Sequence, residues 1–271
     1  MLRVISHNVN GIRAAVRRGL LERIVALDPD VLCLQEVRAR EVDLPAEFLD
    51  LIARTGRVLS YAPGDRAGRN GVAVVTREQP TAVREGLAGG AGEFDAHGRY
   101  LEVDLPGLTV ASLYLPKGAR DGELLETKLR FTAALSDAVW RARLRDGAAR
   151  EFLLCGDFNI AQDENDIRAW RTNLRSPGFL PVERSWLGSL SREQGLVDLV
   201  RAHHGAVPGP YSWWSWRGKA FDNDAGWRID HQLATAGLAA RMVSATVDRE
   251  SSYAARISDH AAVIADFDDP S

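Results

Sequence analysis

Short apolar runs, each bounded by polar or turn-forming residues, recur along the whole chain and predict strands. They fall at Leu2–Ser6, Val31–Leu34, Gly71–Val75, Tyr100–Leu105, Leu108–Leu115, Phe152–Cys155, Tyr211–Trp216, Arg228–Ala234, Met242–Val247 and Ala261–Phe267. Several alternate with period two, as in Tyr100-Leu-Glu-Val-Asp-Leu105. Helical spacing fills the gaps between them. Val16, Leu20, Ile24 and Leu27 predict a helix over Ile12–Leu27. Leu125, Leu129 and Ala133, continued by Leu135 and Val139, predict another over Glu123–Leu144. Pro181 suits a first helical turn, and a third helix is expected from there through Trp186 and Leu190. Strands and helices mixed from end to end indicate an α/β protein. About ten strands are too many for one flat open sheet, so two packed sheets are expected. Nothing repeats with a period of about 20–50 residues, which argues against solenoids and propellers. The stretch Gly86–Gly92 is too short for an interdomain linker and reads as a mobile loop. It lacks the Lys-Ser/Thr ending of a phosphate-cradling loop. One domain spanning residues 1–271 is the expectation.

Composition adds bounds to this picture. The chain is 45% hydrophobic and 26% charged, an ordinary balance for a globular protein. A formal charge of −3 is not the basic footprint of a tight nucleic-acid binder. Lys117, Lys128 and Lys219 are the only lysines; the other basic residues are arginines, which bond phosphate as a fork and stack on bases. An arginine- and alanine-rich composition also fits a GC-rich genome. Cys33 and Cys155 lie inside apolar runs and read as buried, unreactive thiols. No apolar run approaches the ~20 residues needed to cross a bilayer. Met1–Asn8 does not follow the charged-then-apolar pattern of a signal segment. A cytoplasmic protein without membrane contact is expected.

Candidate chemistry sits at the ends of the predicted strands. Asn8 follows the first, and Gln35-Glu36 follows Val31–Leu34. Tyr114-Leu-Pro-Lys-Gly118 closes the run from Leu108, and Gly156-Asp-Phe-Asn159 follows Phe152–Cys155. Asp230-His231 lies within a strand, and Ser258-Asp-His260 precedes one. Polar groups abutting buried strands need partners or a ligand, because bare burial costs several kcal/mol. Strands converging on one rim would gather Glu36, Asp157, Asp230 and Asp259. So many carboxylates raise one another's pKa unless something compensates. A hard divalent cation is the simplest compensation, and oxygen donors without thiolates favour Mg²⁺ or Mn²⁺ over zinc. An Asp–His pair is a second device, since it orients the imidazole and favours its charged form. Asparagines such as Asn8 and Asn159 can bond phosphate oxygens without adding charge. Such a set suits phosphodiester hydrolysis.

Each piece has a structural reading as well. Asn8-Val-Asn-Gly-Ile12 could start a helix, and Gly156–Asn159 and Ser258–His260 could be turns. His203-His204 reads as an exposed helix end, and Asp163-Glu-Asn-Asp166 as a solvated turn opening a helix. Trp227 could simply fill the core.

Joint presence and order change the picture. Asn8–Arg13, Leu34–Glu36, Tyr114–Gly118, Gly156–Asn159, Gly178–Arg184, Gly226–Asp230 and Ser258–His260 occur in one order along the chain. In these blocks the sequence resembles the exonuclease III family of class II apurinic/apyrimidinic endonucleases, within the endonuclease/exonuclease/phosphatase superfamily. The resemblance runs from Leu2 to about Phe267. It implies an α/β four-layer sandwich, with two packed mixed β-sheets flanked by helices. It implies Glu36 as main metal ligand, with Asn8 and Asp259 also at the metal. Asn10 stands where some relatives carry Asp, and is expected beside the metal and substrate. Asp157 is implied to orient or deprotonate the attacking water, and Asn159 to position it. Asp230 is implied as the partner of His260, whose imidazolium would stabilise charge on phosphorus. Tyr114 is implied to touch the phosphate or leaving group. Trp213, Trp227 and Ile229 are implied to line a slot for a base-less sugar, and Arg120 to probe the DNA. Trp213 and Trp214 should face opposite ways, and His231 should point away from Asp230.

The expected activity is Mg²⁺-dependent cleavage (Mn²⁺ being possible) of the backbone 5′ to abasic sites in double-stranded DNA. A 3′-phosphodiesterase or 3′→5′ exonuclease activity, acting on 3′-blocked lesions, is expected at the same centre of a monomer. Two alternatives use the same core: a phosphomonoesterase or inositol/phospholipid phosphodiesterase, and a non-catalytic DNA-binding relative. With four acids assigned to the centre, DNA affinity should rest on local arginines and pocket shape rather than overall charge.

Overall fold

In a computed structural model, residues 1–88, 92–145 and 150–268 are described. Residues 89–91 of the glycine-rich stretch anticipated as a mobile loop lie outside them. The strands are β1 (Leu2–Asn8), β2 (Val31–Gln35), β3 (Val58–Ala62), β4 (Val72–Thr76), β5 (Ala82–Glu85) and β6 (Tyr100–Leu105). They continue as β7 (Leu108–Tyr114), β8 (Glu151–Asp157), β9 (Leu196–Asp198), β10 (Asp230–Thr235), β11 (Met242–Asp248) and β12 (Ala262–Phe267). The helices are α1 (Ile12–Arg17), α2 (Leu20–Leu27), α3 (Ala46–Arg54), α4 (Gly122–Arg143), α5 (Pro181–Arg192), α6 (Leu199–His204) and α7 (Ala236–Ala240).

The strands form two six-stranded sheets, ordered β11-β12-β1-β2-β4-β3 and β5-β6-β7-β8-β10-β9. Both are mixed. β1–β2 and β7–β8 are parallel pairs. The neighbours β12, β4, β6 and β10 run antiparallel to them. Residue alternation builds the layers. Val31 and Cys33 of β2 pack with Leu153 and Cys155 of β8 between the sheets. Leu32 and Leu34 instead face α1–α3 through Ile12, Ile24, Phe48 and Leu51. Phe152 and Leu154 of β8 face Phe131, Leu135 and Leu187 of α4 and α5. Strands covered on both faces read as continuous apolar runs, which is why the sequence marked them. The result is the expected four-layer arrangement, and both cysteines are buried free thiols. Among the described residues no helix is long and apolar enough to cross a membrane.

Three expectations are corrected. Ile12–Leu27 is two helices, because Gly19 between them adopts a left-handed φ of 97° that ends one turn and caps the next. Tyr211–Trp216 is not a strand. Its backbone divides its bonds between two segments, Ser212 and Trp213 donating to Trp227 O and Trp214 to Asp259 O, so no continuous ladder forms. Asp163–Asp166 is not a solvated turn throughout. Asp163 caps a short 3₁₀ turn, but Asp166 is fully buried on Arg228, at 2.7 and 3.1 Å. His203 and His204 do end a helix, α6.

Candidate active site

One rim of the two sheets collects the polar strand ends. Asn8, Tyr114 and Asp157 close β1, β7 and β8, and Glu36 follows β2. Asp230 opens the antiparallel β10 directly opposite Asp157, and His260 stands just before β12. Below the rim Gln35 joins the sheets, its Nε2 donating to Ser112 Oγ at 3.1 Å and Ser6 Oγ at 3.2 Å. Above it lies a cavity of about 380 Å³ whose lining includes the polar side chains of Glu36, Asp157, Asn159, Asp259 and His260. Trp213, Trp227, Ile229 and Gly178 line it too.

The charged side is tightly organised. His260 Nδ1 lies 2.8 Å from Asp230 Oδ2, which also accepts from Ser212 Oγ at 2.6 Å. With Nδ1 donating, Nε2 is turned toward Asp157 Oδ2, 3.8 Å away. Asn8 Nδ2 bridges Glu36 Oε1 at 2.8 Å and Asp157 Oδ2 at 2.9 Å. Asn159 donates its backbone N–H to Asp157 Oδ1 at 2.8 Å and its amide to Leu115 O at 2.9 Å. Asn10 donates to Asp259 Oδ1 at 2.7 Å, and Trp213 Nε1 to Asp259 Oδ2 at 3.1 Å. Asn10, Glu36 and Asn159 all hold left-handed backbones, with φ of 46°, 50° and 47°. Such conformations in non-glycine residues persist where the surroundings over-determine them, often at functional sites.

Electrostatics follow from this burial. Burial, reinforced by the charges of Asp230 and Glu36, pushes the Asp157 carboxyl up to about 7, with His260 pulling the other way. Burial alone would lower His260, but the carboxylates of Asp230 and Asp157 outweigh it and lift the imidazole to about 10. Burial and the nearby Glu36 and Asp157 push the Tyr114 phenol well up. Burial also acts upward on Asp259, but His260 and the bonds from Trp213 and Asn10 hold it below the usual carboxylate range.

The expected residues are brought together with one exception. Asp157, Asn159, His260, Tyr114, Glu36, Asp259, Asn10, Trp213, Trp227 and Ile229 all line the cavity. Asp230 and Asn8 are buried immediately behind it. Arg120 is exposed on the loop after β7 and is not among the lining residues. Ligand atoms of Glu36, Asp157 and His260 come within 4.8 Å of one another; with His260 charged, the two carboxylates are the donors open to a cation. Asp259 stands outside this trio, engaged by Asn10 and Trp213. Trp213 and Trp227 meet edge to face, with centroids 6.4 Å apart, while Trp214 turns away to pack on Phe221. His231 points to Ile160 O, 2.8 Å away, and is structural.

Sequence reasoning missed several contributors. Arg38 bonds Glu36 Oε2 from two residues along the chain. Arg99 stacks 4.8 Å over the Tyr114 ring and donates to Tyr114 O. Ser212 anchors Asp230, and Asn173, Ser176 and Pro177 complete the cavity wall. Only Arg38 carried a signal, an arginine adjoining a predicted ligand. The others become visible only once the chain is folded.

The family model described as Endonuclease/Exonuclease/phosphatase matches residues 5–260. The chain is 30% identical to the exodeoxyribonuclease of Bacillus subtilis (strain 168), over 92% of this chain and 94% of that protein. It is similar to a 3′ phosphatase from Neisseria, solved bound to a product DNA hairpin: TM-score 0.88, 31% identity, covering 99% of this chain and 100% of that one. It is also similar to an AP endonuclease from Archaeoglobus fulgidus, with a TM-score of 0.86 and 28% identity, covering 99% of this chain and 100% of that one.

Proposed function

The chain belongs to the Endonuclease/Exonuclease/phosphatase family, in its exonuclease III-type AP endonuclease branch, and from that premise we propose that it is a DNA-repair phosphodiesterase. It hydrolyses the backbone 5′ to an abasic site in duplex DNA, leaving a 3′-hydroxyl, and removes 3′ blocks or nucleotides at the same centre. The observation that carries this reading is one cavity lined by two unlike sets of side chains. A carboxylate–imidazole cluster shares it with the apolar surfaces of Trp213, Trp227 and Ile229.

The donor set fits a hard divalent cation. Glu36 and Asp157 are buried carboxylates sharing one amide donor, Asn8, and the lining includes no thiol. Mg²⁺, or Mn²⁺ in its place, would be held by Glu36 with Asn8 and Asp259 nearby, and would supply charge neutralisation at the phosphate. The protein's own groups do the rest. Asp157, held near neutrality, is matched to orient the attacking water and take its proton. Asn159 fixes that carboxylate and offers its amide beside it. His260 keeps its second proton through the neutral range, so its Nε2 side presents an imidazolium to charge developing on phosphorus. Tyr114 stays a phenol and can donate to a phosphate or leaving-group oxygen. Trp213, Trp227 and Ile229 offer a flipped, base-less deoxyribose an apolar wall at little desolvation cost. Both sheets contribute to this one cavity, which supports a single catalytic domain, and we read the protein as a monomer working in the cytoplasm.

The test is turnover of Asp157→Asn and His260→Ala on an abasic duplex. Each is expected to lose at least ~10²–10³-fold. Wild-type turnover by folded Asp157→Asn would remove Asp157 from the reaction.

A further inference from the structure

Arg38 is the feature the proposed reaction leaves unused. Its guanidinium bonds Glu36 Oε2, the carboxylate oxygen that Asn8 does not occupy. The turn that brings the two together is rigid. Glu36 and Arg38 are both left-handed, with φ of 50° and 54°. Gly11 N donates to Glu36 O at 2.8 Å and Ile12 N to Val37 O at 3.0 Å. Val37 N donates to Gly71 O at 3.0 Å and Arg38 N to Asn70 O at 2.8 Å. The backbone is therefore clamped from both sides, while the Arg38 side chain is 40% exposed. Its head can move although its root cannot.

Arg38 also lines a second cavity, of about 460 Å³, beside the first. Gly11, Arg13 and Arg17 line it too. Arg13 and Arg17 are both exposed, with Asp43 close enough to Arg13 to feel its charge. A guanidinium swung outward from Glu36 enters the company of two like charges. That position becomes favourable when an anion is present, and forked arginine bonds suit a phosphate diester.

We propose that Arg38 is a positioning residue that holds Glu36 until a divalent cation loads, then exchanges the carboxylate for a phosphate of the DNA backbone. The exchange rests on the metal-dependent nuclease reading above and adds a coupling to it. A guanidinium and a divalent cation repel each other strongly at one carboxylate oxygen. With a cation held by Glu36, Arg38 would lose its partner and lie toward the arginine-lined groove. DNA in that groove removes the penalty, so metal and DNA each tighten the other's binding, reciprocally.

The experiment titrates Mn²⁺ into the metal-stripped full chain, with free Mn²⁺ followed by electron paramagnetic resonance. Without DNA, Arg38→Gln is expected to bind Mn²⁺ at least about threefold more tightly than wild type, the scale of one half-exposed ion pair. Arg38→Lys, which keeps the charge, is expected to fall between them. A merely structural role would weaken binding, not strengthen it. A second arm measures affinity for an intact dumbbell duplex, which has neither lesion nor ends to cut. Mn²⁺ is expected to tighten wild-type binding at least about threefold over chelator, and to lose that gain in Arg38→Gln. Unchanged or weaker Mn²⁺ binding in Arg38→Gln beside normal wild-type binding overturns the exchange alone. An equal Mn²⁺ gain for the duplex in both proteins overturns its phosphate half. Absence of saturable Mn²⁺ binding in wild type and variant alike overturns the metal centre, and the exchange with it.

Discussion

Removing the Lys128 ammonium should loosen the cavity from beneath. Lys128, on α4, is fully buried and donates to Glu183 Oε1 at 2.6 Å, Asn159 O at 3.0 Å and Lys117 O at 3.3 Å. Glu183, equally buried, accepts from the backbone N–H groups of Gly178 at 2.7 Å and Leu180 at 3.0 Å through its other oxygen. Lys117, Asn159 and Gly178 all line the cavity, so one ion pair ties three of its loops to two helices. Burial pulls the Lys128 ammonium down, and Glu183 only partly restores it. Lys128→Met leaves Glu183 as an uncompensated buried charge, a loss of ~3–5 kcal/mol. That is a large share of a typical total stability of roughly 5–15 kcal/mol. Lys128→Met with Glu183→Gln keeps an acceptor for the two N–H groups and removes the stranded charge. The double variant should therefore cost less than the sum of the singles by at least ~1 kcal/mol. Urea unfolding of the four proteins at pH 7 measures this cycle. A loss below ~1 kcal/mol for Lys128→Met, or strict additivity, would refute the keystone role.

Two further perturbations test the fold beside the site. A Cβ on Gly156 would stand 1.9 Å from Leu113 O, with φ at 152°, so Gly156→Ala should cost more than ~4 kcal/mol or abolish soluble expression. Gly107→Ala, whose Cβ meets nothing within 4 Å, is the control for positive φ alone; equal melting temperatures would refute the contact argument. Burial lowers His7 from 6.5 to about 4, while it packs 3.2 Å from His260 O. Between those values the unfolded chain binds a proton that the folded one refuses. Its stability contribution is whole above pH 6.5 and falls by ~3 kcal/mol as pH drops to about 4. Unfolding free energies measured across that window should lose this slope in His7→Asn; an unchanged slope would place the titration elsewhere.

The sequence was readable where local chemistry contradicts its surroundings. Asn8, Glu36, Asp157 and His260 each interrupt an apolar run, and buried polar groups there need a purpose. The number of short apolar runs, about ten, likewise announced two packed sheets. What escaped depends on distant partners. Asp166 looked solvated because Arg228, which neutralises it, lies 62 residues away. The edge strand β5 is short and its residues alternate between half-buried and exposed, which leaves little apolar pattern to detect. Trp213 and Trp214 suggested a strand, yet one faces the cavity and the other a satellite core, with backbones bonded to different segments. The charge of −3 says less than its local arrangement. Glu36, Asp157, Asp230 and Asp259 stand in or behind the cavity, and the exposed Arg13 and Arg17 line the adjoining groove.

The central claim is that a cation-loaded carboxylate–histidine centre beside an aromatic slot cuts DNA at base-less sites. The direct measurement follows end-labelled duplexes, one abasic and one matched, with Mg²⁺, Mn²⁺ or chelator. A single cut 5′ to the lesion is expected with either metal, none with chelator, and little internal cutting of the matched duplex. Cutting that survives chelation, or hydrolysis of inositol phosphates with the abasic duplex left intact, would contradict it.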